Sequence, residues 1–150
     1  MRVSVVLCVF VAVVASVAGQ DSTRVRGPPL VSTLPVSSPP PDYSALQRQL
    51  SANRAKWRAQ GFRRYRMTIR VNCFCLPEAR GPFDLVVAEG AVVSATPDNE
   101  FSRNVPTIGK LFALIQDAIN DGAANIQVTF NPRFGYPASV FIDRVQIAFK

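Results

Sequence analysis

An α+β fold is predicted, with a single antiparallel sheet of about five strands and two helices on one of its faces. Three observations carry that prediction. Apolar residues recur at helical spacing over residues 43–60 and again over 108–121. Alternation of period two marks 62–75, 83–88, 91–96, 126–130 and 138–143. The strands are joined by short connections, which makes the hairpins antiparallel and leaves the helices to cover one side. The order is α-β-β-β-α-β-β, preceded by a disordered Pro-rich linker.

The amino terminus reads as a secretory signal peptide over residues 1–19. Met1-Arg2 supplies the positive start, Val3 to Val17 is almost wholly apolar, and Ser16, Ala18 and Gly19 are the small residues of a cleavage region. The run is short for a membrane span, which needs ~20 apolar residues. No transmembrane segment is expected after cleavage, and the expected location is secreted or extracytoplasmic. Cleavage removes Arg2 and Cys8, so the formal charge of +7 falls by only one and Cys73 and Cys75 remain. An oxidising compartment makes a disulfide the default for such a pair. Histidine is absent, which excludes Ser-His-Asp and Cys-His catalysis, histidine-ligated zinc and a histidine pH switch.

Residues 20–42 form the linker. Pro28, Pro29, Pro35, Pro39, Pro40 and Pro41 are half of the 12 prolines, and the intervening Ser, Val and Thr show no period. The domain then occupies residues 43–150, enough for one modest core. Asp42 or Ser44 can cap the first helix, Leu46, Leu50 and Trp57 share its apolar stripe, and Gly61 stops it. In the strand that follows, Tyr65, Met67, Ile69, Val71, Cys73 and Cys75 share one face. Arg64, Arg66, Thr68, Arg70, Asn72 and Phe74 share the other. Residues 77–82 turn the chain, and Glu89-Gly90 joins the next two strands as a tight hairpin. Residues 97–106 read as a polar loop. Thr107 caps the second helix, whose Ile108, Leu111, Phe112, Ile115, Ala118 and Ile119 repeat at three and four, and Gly122 ends it. Ile126, Val128 and Phe130 alternate in the fourth strand, and Val140 and Ile142 in the fifth. After Arg144 the apolar phase moves by one residue to Val145, Ile147 and Phe149, the mark of a bulge or a separate short strand.

These residues also carry a resemblance. Trp57, Tyr65-Arg66, Cys73-Phe-Cys-Leu-Pro77, Gly90, Thr107-Ile108 with Leu111-Phe112 and Ile115, and Gly135-Tyr-Pro137 with Asp143 resemble the exported domain of unknown function 6174. That domain is frequent in bacterial secreted proteins and lipoproteins. The likeness runs from about Asn53 to Asp143. It implies no activity, cofactor or catalytic residue, because the family has none assigned. Its members usually place an acidic residue after the Thr-Ile pair, where this chain has Gly109-Lys110. They also tend to carry an acidic insertion after the position of Asp143, and here Arg144 leads almost directly into Val145.

Two constellations are left to carry chemistry. Cys73 and Cys75 are spaced i, i+2, which puts Cα atoms ~6.6 Å apart on a straight strand, near the upper end of disulfide geometry. A disulfide there needs a bent strand end, which Pro77 and its turn can supply. A structural disulfide, a redox-active pair and a soft-metal site all fit two thiols. The second is the basic tract from Tyr43 to Pro77, with Arg48, Arg54, Lys56, Arg58, Arg63, Arg64, Arg66 and Arg70 and no acidic residue. With helices on one face, Arg64, Arg66 and Arg70 line the other. They are candidates for binding an anionic surface, a lipid headgroup or an acidic glycan; nucleic acid is disfavoured for an exported chain. The plainer reading is a solvated face. Phe134-Gly-Tyr-Pro137 reads as a structural turn. Asp84, Glu89, Asp117, Asp121 and Asp143 are scattered, with no paired-carboxylate motif and no metal-ligand cluster. The expectation is a secreted, non-enzymatic domain without a cofactor. Redox or soft-metal work through Cys73 and Cys75 is the alternative, and a hydrolase is weaker still.

Overall fold

The computed structural model describes residues 2–9 and 41–144, and of residues 2–9 the backbone alone. The linker expected at 20–42 and the phase change after Arg144 lie almost wholly outside those residues. The elements are β1 (Arg2–Val9), α1 (Ser44–Ala59), β2 (Arg64–Asn72), a 3-10 turn (Pro77–Ala79), β3 (Phe83–Ala88), β4 (Ala91–Thr96), α2 (Glu100–Asn104), α3 (Ile108–Asn120), β5 (Asn125–Phe130) and β6 (Pro137–Asp143). The class is α+β, with both long helices on one side of the sheet.

All five expected strands are present, but they do not form one continuous antiparallel sheet. β2, β3 and β4 make an antiparallel meander, and β5 and β6 an antiparallel hairpin. Between them lies β1, parallel to both β2 and β6, giving the order β4-β3-β2-β1-β6-β5. Period-two reading identifies strands and leaves their partners open, and β1 comes from the stretch read as a leader. Its register sets Val3, Val5 and Leu7 beside Met67, Ile69 and Val71.

The helices form where the apolar stripes fall. In α3, Ile108, Leu111, Phe112, Ile115 and Ala118 are all buried against the sheet. Leu50 of α1 is buried beside them, with Leu46 and Trp57 packed at its margin. The sheet answers with Tyr65, Met67, Ile69, Phe83, Leu85, Val87, Val140 and Ile142, so one core holds both layers together. Burying each large apolar side chain contributes about 1.5–3 kcal/mol. Gly61 and Gly122 follow the two helices at φ +64°, as helix stops require.

Three expectations are corrected locally. The capping hydroxyl of Thr107 makes no bond to the helix it precedes; the Ile108 amide instead donates to the Tyr65 hydroxyl at 3.2 Å. The polar loop at 97–106 contains α2, a five-residue helix closed by a capping box between Asn99 and Ser102. The strand expected to reach Cys75 stops at Asn72. Its partner β3 begins at Phe83, opposite Ile69, and beyond that pair the Val71 amide is met by the Arg80 carbonyl rather than by a neighbouring strand.

Candidate functional site

The face of the sheet that the helices leave open carries the arginine row. Alternation along β2 buries Tyr65, Met67 and Ile69 and exposes Arg64, Arg66 and Arg70, so the expected placement of all three holds. Neighbours two apart on a strand are ~6.6 Å from one another, and Arg64 and Arg66 are therefore adjacent charges. Among the described residues none of the three makes an ion pair. Arg66 also lines a shallow groove of about 350 Å³ with Thr68, Asp84, Val86, Ser94 and Thr96.

The row is not purely cationic. Asp84 of β3 stands opposite Thr68 and accepts its hydroxyl at 2.6 Å. That puts a carboxylate diagonal to Arg66 and to Arg70, ~7–8 Å from each along the sheet. The sequence shows Asp84 as one of several scattered acids; only the β2–β3 register reveals where it sits.

Cys73 and Cys75 lie just past the end of β2, at disulfide distance, with Cα atoms 5.2 Å apart. The spacing is shorter than a straight strand allows, so the expected bend is present. Both cysteines are half-buried in the bend itself, between the exposed Asn72, Phe74 and Leu76. Arg80 braces this bend, donating from Nε and Nη2 to the Cys75 carbonyl at 3.1 and 2.9 Å. No local signal in the sequence points to that contact, which spans the 3-10 turn. Phe74 and Leu76 project outward, 89% and 64% exposed, at the same end of the sheet as Arg70. Asn72, Cys73, Phe74 and Arg80 line a second groove of about 230 Å³.

The remaining motif residues are architectural. Trp57 of α1 meets Phe62, Tyr65 and Tyr136 with ring centroids 5.5, 5.3 and 6.0 Å away. Tyr136 is buried and its hydroxyl accepts from Asn131. Gly135 has φ +81°, and a Cβ there would lie 2.6 Å from the Asn53 carbonyl of α1. The structural reading of Phe134–Pro137 therefore stands on geometry. Burial raises the phenol pKa of Tyr65, and hydrogen bonds from Ile108 and with Thr107 offset this in part. Among the described residues no group of three or more Cys, Asp or Glu side chains is placed to hold a metal ion. No helix among them is long and apolar enough to cross a membrane.

Helices on one side, an arginine-lined strand on the other and a Cys-Phe-Cys bend at its end define a two-layer α+β domain. Its sequence matches, over residues 49–149, a family described as a family of unknown function (DUF6174), and the chain belongs to that family. No curated protein and no solved structure matches it.

Proposed function

We propose that the chain is an exported, non-enzymatic domain that binds an anionic surface through Arg64, Arg66 and Arg70. One observation carries the reading: three exposed guanidinium groups, without an ion pair among the described residues, share the sheet face that no helix covers. Guanidinium groups in that setting meet phosphate, sulfate or carboxylate bidentately. The exposed pair Phe74 and Leu76 at the end of the same strand favours a lipid headgroup layer over an acidic glycan, since apolar tips beside basic residues enter the headgroup boundary.

The test is retention of the triple variant Arg64→Glu, Arg66→Glu, Arg70→Glu on heparin and on anionic liposomes at low salt. Retention should fall sharply on both, and unchanged retention removes the proposal. Phe74→Ser with Leu76→Ser separates the sources. Loss on liposomes alone identifies lipid, and no loss on either identifies a glycan. Thiol-disulfide exchange through Cys73 and Cys75 is the second reading, supported by their half-buried position beside an open groove. Free thiols in freshly exported protein would favour it over a structural disulfide.

A further inference from the structure

The groove on the open face carries charges of both signs, and binding to a purely anionic group uses only one of them. Its side chains come from three neighbouring strands in two cross-strand rows. One row is Thr68, Asp84 and Thr96; the next is Arg66, Val86 and Ser94. The Thr68 hydroxyl donates to Asp84 Oδ1 at 2.6 Å, which orients the carboxylate and leaves Oδ2 to accept from another donor. Among the described residues Asp84 forms no ion pair with Arg66 or Arg70, although it is diagonal to both, ~7–8 Å away. A carboxylate that served to neutralise the row would be joined to it. This one is held apart by a threonine, with half-buried Val86 and the hydroxyls of Ser94 and Thr96 beside it. The two charges stand at a separation that a small zwitterion can bridge.

We infer that the groove takes a phosphoethanolamine headgroup, with its phosphate on Arg66 and its primary ammonium on Asp84. The assignment rests on the proposal that the arginine row binds a lipid headgroup layer. A guanidinium meets phosphate as a bidentate fork. A primary ammonium brings three N–H donors and needs acceptors for them. Asp84 and Thr96 face each other in register and Ser94 lies two residues along the same strand, so a carboxylate and two hydroxyls converge on that end of the groove. A trimethylammonium group has no N–H and is recognised by aromatic rings, and no aromatic residue lines the groove. Phosphocholine is therefore disfavoured. A phosphoglycerol headgroup satisfies Arg66 but brings no cation to Asp84. The volume of about 350 Å³ is near the lower end of ligand sites, ~300–1,000 Å³, so the groove holds a headgroup and leaves the acyl chains in the bilayer.

Flotation of the full chain with two sets of vesicles tests this. One set holds equal parts of phosphatidylglycerol and phosphatidylcholine; in the other, phosphatidylethanolamine replaces the phosphatidylcholine. The replacement should raise apparent affinity about fivefold, the scale of a charged contact at an exposed site. Asp84→Asn should cancel that gain while binding the phosphatidylcholine set about two- to threefold more tightly than the unaltered chain does. Equal affinity of the unaltered chain for both sets, with both lost in the triple arginine variant, overturns the inference and leaves the anionic-surface proposal standing. Unchanged binding of the arginine variant to both sets overturns the two together. A gain that survives in Asp84→Asn assigns it to bilayer packing around Phe74 and Leu76 and rejects recognition of the headgroup. Soluble O-phosphoethanolamine should displace the unaltered chain from vesicles at concentrations where O-phosphocholine does not, a readout that needs no variant to fold. Displacement without any lipid-dependent gain assigns the group to a carrier other than lipid and also overturns the inference.

Discussion

At Gly135 only a hydrogen fits between the β5–β6 turn and the backbone of α1. The residue combines φ +81° with a Cβ position 2.6 Å from the Asn53 carbonyl, and neither backbone can give way cheaply. Gly135→Ala should cost ~2–3 kcal/mol, whereas Gly122→Ala, with φ +64° but open space, should cost ~1 kcal/mol. Thermal melts of the two variants check the order. Tyr65 gives a pH prediction. Its phenol pKa is raised above 10.0 chiefly by burial. A raised pKa means the folded state holds the proton longer than the unfolded one. The associated stability is complete below pH ~10 and is lost as pH rises through the folded value. Melting temperature should therefore fall above pH ~10. Tyr65→Phe should flatten that fall and, by leaving the Ile108 amide without its acceptor, cost ~1–3 kcal/mol at neutral pH. The role of Gly135-Tyr136 as a turn was legible from residue type alone. The tyrosine that replaces Thr107 as the partner of α3 was not, because that bond joins residues distant in sequence.

Single elements show where local pattern suffices and where it fails. The β3–β4 hairpin is read correctly because alternation and turn chemistry agree: Glu89 and Gly90 take φ of 49° and 82° between Ala88 and Ala91. α2 escapes because Pro97 and Pro106 bracket it and its capping box uses Ser102 in place of the usual Glu or Gln. Ser102 is fully buried and bonds both the amide and the carbonyl of Asn99, so Ser102→Ala should cost ~1–2 kcal/mol in a denaturant titration. β2 is read too long because alternation continues through Cys73 and Cys75 after the strand partner has ended. At that bend the ring closed by two cysteines is very small, and crosslinking so short a loop constrains the unfolded chain little. Cys73→Ser with Cys75→Ser should lower the melting temperature by only a few degrees, ~0.5–1 kcal/mol, and leave retention on an anionic matrix unaltered.

For the molecule as a whole, the open face acts through summed charge. Asp84 interrupts the arginine row, and Asp84→Asn should raise apparent affinity for anionic liposomes about two- to threefold at low ionic strength. The gain should vanish near 1 M salt, where the screening length is ~3 Å. The class of fold, the helix-covered side and the arginine-lined side were all legible, since each depends on periodicity within one segment. The order of strands and the position of Asp84 were not, since both depend on which segments meet. The placement of the central strand also governs the order of assembly. The β2–β3–β4 meander and the β5–β6 hairpin need only neighbouring residues, so each can form early. The centre of the sheet must instead bring together β2 and β6, which are remote from each other in sequence and do not pair directly. Closing the sheet is therefore the slow, entropically expensive step. The sheet thus consists of two locally built halves whose junction has the longest loops to close.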